Sequence, residues 1–144
     1  MTTSPHPETE TLDAHACLEL LRSTPFGRLA VVVDDKPQVF PVNHVVDHGG
    51  IAFRTAAGTK LAGATGRDVA YEIDGYDLQE GMAWSVVVHG VAREARAIDE
   101  VVDGLALPIF PWAAGTPKPH VVRIEPEQIS GRRFHIGGGG TLAL

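Results

Sequence analysis

The sequence predicts a mainly β fold, an antiparallel barrel of about six strands with two short helices. Short β-branched, apolar segments recur along the chain and are separated by turn residues such as Asp34–Pro37 and Asp47–Gly50. The length of 144 residues suits one domain with its own hydrophobic core. Because closing a sheet removes its exposed edges, a closed or nearly closed barrel is favoured, while a two-sheet sandwich stays open as the alternative.

The first half of the chain predicts one helix followed by a strand meander. Asp13 caps the helix, Cys17 and Leu21 belong to its apolar face, and Pro25 ends it. The strands are expected over 27–33, 38–46 and 51–55. We expect the second strand to be kinked at Pro41, because proline cannot donate to a ladder.

The second half predicts longer strands and one more helix. The strands are expected over 69–74, 84–95 and 121–134, with a loop over 75–81 and a helix over 98–107. The last strand is expected to bend near Pro126 and Gly131. Residues 1–11 are expected to be a disordered lead-in, 12–136 the folded domain, and 137–144 a flexible tail.

Composition excludes several classes of function. The formal net charge of −6 and the absence of a basic stripe argue against nucleic acid as a partner. Cys17 is the only cysteine, and the seven histidines have no ligand spacing, so no metal site is expected. The chain shows no signal peptide and no membrane-length apolar run, which makes cytoplasmic residence the expectation.

The segment Phe53–Lys60 has the composition of a phosphate cradle. A strand ends near Thr55, small residues turn, and a short helix is expected to begin with Thr59 and Lys60. Backbone N–H groups at a helix start bind phosphate, and a guanidinium such as that of Arg54 adds a bidentate partner. A capped helix with solvated Arg54 and Lys60 is the structural alternative.

Several segments, in this order and spacing, carry a family resemblance. They are CLELLRSTPFGRLAVVVDDKPQVFPVNHVVD, IAFRTAAGTKL, AWSVVVHGVA, PWAAG and VVRIEPEQISGRR. Together they resemble the pyridoxamine 5′-phosphate oxidase-like family of FMN-binding split β-barrels. Within it, the chain is similar to the short flavin-nucleotide-binding branch that includes nitroimidazole-resistance proteins. The resemblance implies a split-barrel homodimer with FMN held between the subunits.

The resemblance also implies roles for particular residues. The phosphate would be bound by Thr55, Thr59 and Lys60, with Arg54 close by. The isoalloxazine ring would lie along Val42 and Asn43, which offer backbone or amide hydrogen bonds. Trp84 and Ser85 would approach from the partner subunit, and Arg132 would lie near the cofactor or the mouth of the site.

The residues themselves leave alternatives open at these positions. Asn43 suits a flavin pyrimidine edge, or it is the outward polar residue of an alternating strand. His44 is expected on the opposite face from Asn43, as a surface residue. Trp84 and Trp112 are packing anchors in the alternative reading. Arg132 and Arg133 alternate faces, so only one of them is expected to point to an anion.

The expected function is an FMN-dependent oxidoreductase acting on a small organic substrate, with a nicotinamide nucleotide as a possible electron donor. No residue stands out as a general acid or base. True pyridoxamine 5′-phosphate oxidase activity is disfavoured, because the segment 98–107 has no groups to bind a substrate phosphate. The alternatives are a deazaflavin- or haem-binding relative, a non-enzymatic flavin-binding protein, and a scaffold without a cofactor.

Overall fold

The computed structural model describes residues 9–58, 63–109 and 117–136. The helices with described bounds are α1 (Ala14–Ser23) and α2 (Ile98–Leu105). The strands are β1 (Thr9–Leu12), β2 (Phe26–Val33), β3 (Lys36–Asn43), β4 (Val45–Asp47), β5 (Gly50–Thr55), β6 (Asp68–Asp77), β7 (Met82–Glu94) and β8 (His120–His135).

The strands of the described residues form one sheet in the order β3-β2-β6-β7-β8-β5-β4, and β1 pairs with β8. The ladders between the named strands are antiparallel. The two ends of this order, β3 and β4, are consecutive in the chain and only His44 lies between them. The sheet must therefore curl until its edges meet. This confirms the mainly β fold and agrees with a split barrel.

The core lies on the inner face of the curled sheet. Alternate residues of β6 and β7 are buried there, including Tyr71, Ile73, Val86 and Val88, as the two-residue period of a strand requires. Helix α1 covers one end of this core with Cys17 and Leu21. The Asp13 carboxylate caps the helix by accepting a hydrogen bond from the Ala16 N–H at 2.8 Å.

His44 forms the seam where the sheet closes. Its N–H donates to the Pro25 carbonyl at 3.0 Å, and its side chain is buried. Nε2 lies 2.9 Å from the Leu21 carbonyl in the last turn of α1, where helix carbonyls lack partners within the helix. A carbonyl only accepts, so Nε2 carries the proton and Nδ1 accepts from the Tyr71 hydroxyl at 2.5 Å.

The expectation of a surface position for His44 was therefore wrong. The strand is interrupted at His44 and not at Pro41, which pairs with Arg28 in the ladder. The reason is that β3 is the last strand of the sheet order, where a missing N–H is tolerated.

Three further features of the strands can be compared with the sequence-based expectations. Residues 9–11, expected to be disordered, pair with β8 as part of β1. The loop expected over 75–81 is shorter, because β6 continues to Asp77 in register with β7. The expected bend at Pro126 is confirmed by a register shift between His89 and Gly90, which leaves Glu127 without an opposite residue.

Two tight turns set the register of the meander. Asp34 and Asp35 have φ values of 52° and 61°, and His48 and Gly49 have values of 52° and 74°. Positive φ at both central residues is the geometry of the two-residue hairpin turn whose twist matches the flanking strands.

Gly131 is a point of close approach between β8 and α1. A Cβ at this position would lie 2.5 Å from the Cys17 Sγ and 3.3 Å from Val86. Gly131→Ala should therefore lower the free energy of unfolding by about 1–3 kcal/mol through overpacking. Combining it with Cys17→Ala should cost less than the sum of the two single changes, measured by urea unfolding. Simple additivity would contradict the contact.

Buried His44 predicts a stability that depends on pH. Burial lowers its pKa below the ordinary 6.5, so the unfolded chain takes up the proton first as the pH falls. The free energy of unfolding should decrease below pH 6.5, by at most about 1.4 kcal/mol per pH unit, and level off below the folded-state pKa. His44→Gln should lack this component, so its stability deficit relative to wild type should narrow from pH 8 to pH 5.

Comparing His44→Gln with wild type separates the pH dependence due to His44 from that due to Glu72, which is present in both proteins. Burial and the neighbouring Asp74 carboxylate raise the pKa of Glu72 from 4.5 to about 7. Its effect has the opposite sign, because stability is lost as the pH rises from 4.5 through about 7. The exposed His89 supplies a control as His89→Gln. A deficit of His44→Gln that stays constant with pH would contradict the prediction.

Candidate functional site

The structure divides the predicted site residues into two groups. The first group lies at the ends of β3 and β5, and its members are Val42, Asn43, Arg54 and Thr55. The second group lies on β7 and β8, and its members are Trp84, Ser85 and Arg132. Thr59 and Lys60, like Trp112, lie outside the described residues. Their predicted roles stay predictions.

Closure of the sheet brings β3 to β5. Val45 pairs with Ala52 in the ladder of β4 with β5. Extending this antiparallel register by two residues places Asn43 opposite Arg54. Strands β3 and β5 contact each other directly. The Val42 side chain is buried and that of Asn43 is half-buried. The ring-binding and phosphate-binding segments expected from the sequence therefore meet at one end of the barrel.

Arg54 and Thr55 are held by backbone partners at this end. Arg54 donates through Nε to the Lys118 carbonyl at 2.9 Å, which uses one of the five N–H groups of its guanidinium. Thr55 is only 3 % exposed and its hydroxyl donates to the Ala56 carbonyl at 3.1 Å. Gly58, with φ at 153°, gives the chain after β5 a backbone conformation that favours glycine.

The second group presents two different faces of the sheet. Trp84 packs against the core and lies over Gly75, where a Cβ would come within 2.6 Å of its ring. Ser85 projects from the opposite face, in register with Asp74 on one side and Arg132 on the other. The Arg132 guanidinium carbon lies 5.9 Å from the centre of the Phe134 ring. Arg132 and Arg133 lie on opposite faces of the sheet: Arg132 shares the face of Ser85, and Arg133 shares that of Trp84.

A charged cluster on the outer face adjoins Ser85. Arg28 lies 3.2 Å from the Glu72 carboxylate and 3.1 Å from that of Asp74. The pKa of Glu72, raised by its burial and by Asp74, places its titration near neutral pH. Glu72 and Asp74 share a face because side chains alternate along a strand, and Arg28 contacts both carboxylates.

The two groups lie at opposite ends of β8. Thr55 pairs with His120 at the first residue of β8, and Ser85 pairs with Arg132 twelve residues later. At the rise of a strand this corresponds to about 40 Å of chain. Arg54 and Thr55 are therefore separated from Ser85 and Arg132 by nearly the whole length of this strand.

A separate cleft of about 380 Å³ lies between the β4–β5 turn, the end of β7 and α2. Its lining includes five carboxylates and two arginines, and none of the predicted site residues. Arg123 pairs with Asp47 at 2.7 Å and lowers the pKa of that carboxyl. An excess of carboxylates repels a phosphate, so this cleft does not suit an anionic cofactor.

Two buried residues near the site are Tyr71, which the sequence analysis did not single out, and His44, which it expected at the surface. Both side chains are buried directly behind the end of β3. The Tyr71 hydroxyl lies 3.2 Å from the Val42 carbonyl as well as against His44. The sequence does contain a signal for Tyr71: side chains alternate along β6, and this alternation places Tyr71 on the inner face with Val69 and Ile73.

Two further expectations concern metals and membranes. Within the described ranges, no three histidine, cysteine, aspartate or glutamate side chains come together as a metal site would require. In the same part of the chain, no helix is long and apolar enough to cross a bilayer. Cytoplasmic residence stays a prediction.

Comparison with known proteins agrees with this architecture. A structure of an FAD-binding protein from Mycobacterium smegmatis is 40% identical, with a TM-score of 0.77, over 89% of this chain and 100% of that one. An FAD-binding protein from Mesorhizobium loti is 26% identical, with a TM-score of 0.71, over 87% of this chain and 96% of that one. An uncharacterized protein of Mycobacterium tuberculosis is 35% identical over 85% of this chain and 84% of its own length.

The profile of one protein family, described as pyridoxamine 5′-phosphate oxidase, matches residues 13–133. The match covers both groups of site residues and every strand from β2 to β7 in full. It confirms the resemblance expected from the sequence. The chain is a member of the pyridoxamine 5′-phosphate oxidase family.

Proposed function

We propose that this chain is a flavin-dependent oxidoreductase that works as a homodimer and binds FMN between its two subunits. The observation that carries the proposal is the separation along β8 of the residues that pair with Thr55 and with Ser85, which lie twelve positions apart. A second copy related by a two-fold axis would place the second group of one subunit against the first group of the other. Family membership and the FAD-binding relatives support a flavin as the ligand.

The residues at the end of β5 fit a phosphate. Arg54 keeps further guanidinium N–H groups beyond the one given to Lys118. The chain then passes through Gly58 to Thr59 and Lys60, which add a hydroxyl and a cation. This donor set matches the terminal phosphate of FMN.

The residues at the end of β3 fit the ring. Asn43 carries both a donor and an acceptor, as the pyrimidine edge of a flavin requires. The Val42 side chain packs in the core on the other face of the strand and supports the backbone next to Asn43. Trp84 and Ser85 of the second subunit would close the site, with Arg132 at its mouth. These groups bind and orient the cofactor and restrict the access of water.

When bound, the flavin supplies two-electron chemistry between a donor and a small organic acceptor. A nicotinamide nucleotide is the proposed donor. FAD is a second candidate cofactor, because two of the similar structures are FAD-binding proteins. FMN is preferred because Arg54, Thr59 and Lys60 form a donor set that suits a terminal phosphate.

The cofactor is tested by titrating the purified protein with FMN and FAD and by identifying any copurified flavin by mass. The double change Thr59→Ala with Lys60→Ala should raise the Kd for FMN roughly 10- to 100-fold, because charge-assisted hydrogen bonds to the phosphate are lost. Lys36→Ala, an exposed cation at the start of β3, is the matched control. An unchanged Kd in the double variant would refute the phosphate assignment, and a wild type that binds neither flavin would refute the proposed function.

The shared site is tested by mixing two defective chains. One carries Arg54→Ala, and the other carries Trp84→Ala with Arg132→Glu. Each alone should lose flavin, whereas random mixing should restore about a quarter of the wild-type flavin content, because half of the dimers are mixed and each has one intact site. Flavin content that does not rise on mixing would contradict a site built from two subunits.

A further inference from the structure

We propose that Tyr71 and His44 are positioning residues for the ring edge of the flavin. Neither would touch the cofactor. Instead, they fix the end of β3 so that Asn43 faces outward in one orientation. The inference rests on the proposed flavin site and adds to it the residues that hold its backbone in place.

The first argument is a chain of hydrogen bonds that spans three elements. It begins at the Leu21 carbonyl in α1, passes through both ring nitrogens of His44, and reaches the Tyr71 hydroxyl on β6. The Val42 carbonyl on β3, at 3.2 Å, is a second and more distant acceptor for the single proton of this hydroxyl. The rings of His44 and Tyr71 also meet edge to face, with their centroids 5.0 Å apart. The network therefore ties the last residues of β3 to the helix and to the core.

The second argument is the direction of the backbone groups. The His44 N–H points towards β2, because it donates to the Pro25 carbonyl. Backbone groups alternate between the two edges of a strand, so those of Val42 also point towards β2 and those of Asn43 point to the opposite edge. The network holds the residues on both sides of Asn43. It thereby sets the direction of the Asn43 peptide groups.

The third argument is the space made for Tyr71. Gly27 pairs with Val42 in the ladder of β2 with β3. A Cβ on Gly27 would lie 2.7 and 2.8 Å from the Tyr71 Cζ and hydroxyl oxygen. The missing side chain therefore allows the phenol to cross β2 and reach the end of β3.

The test compares the wild-type protein with two single variants in β6. Tyr71→Phe removes only the hydroxyl, and Ile73→Val removes one buried methylene from the same inner face. Each protein is titrated with FMN, and its bound flavin is examined for absorption maxima and reduction potential. We expect Tyr71→Phe to raise the Kd roughly 5- to 10-fold and to shift both the absorption and the potential. Ile73→Val should leave the absorption and the potential unchanged.

The outcomes separate this inference from the proposed function. If wild type binds flavin and Tyr71→Phe changes neither the absorption nor the potential, the positioning role is overturned while the flavin site stands. If Tyr71→Phe does not fold, His44→Gln answers the same question, since its amide still donates to the Leu21 carbonyl but no longer offers the imidazole acceptor. A wild type that binds no flavin overturns the proposed function and this inference together.

Discussion

The closure of the sheet at His44 is the constraint on which the rest of the structure depends. The two end strands of the sheet, β3 and β4, are separated by this one residue, so the sheet has no freedom to open there. A polar ring at such a seam is costly unless both nitrogens are satisfied. Leu21 and Tyr71 satisfy them, and they thereby join α1, the seam and β6 into one unit.

The same closure decides where the candidate site lies. It brings the end of β3 to the end of β5, so that Asn43 and Arg54 belong to one end of the barrel. Along β8, Arg132 lies twelve residues from His120, the pairing partner of Thr55. Arg54 and Thr55 are therefore far from Ser85 and Arg132 along this strand. This is the physical reason for proposing a second copy of the chain as the partner.

Glycines mark the places where a large inner side chain crosses a neighbouring strand. Gly27 makes room for Tyr71, Gly75 lies under the Trp84 ring, and Gly131 accommodates the Cys17 Sγ. A glycine within a strand usually weakens it. Here the buried aromatic rings and sulfur cover the exposed backbone, and the tight fit leaves little freedom to repack. A side chain added at any of these three glycines would displace the group packed over it.

The sequence by itself determined the kinds of element, most of their positions and the family. Alternating apolar residues, the Asp13 cap, the two hairpin turns and the Pro126 bend are local signals, and each depends on neighbours close in the chain. Only the tertiary structure decided that His44 is buried and that β6 continues past Gly75. Both depend on partners that the chain order does not reveal: Tyr71 is 27 residues from His44, and Trp84 covers Gly75 from the next strand. The grouping of the site residues followed from the pairing of β8, which no local pattern specifies.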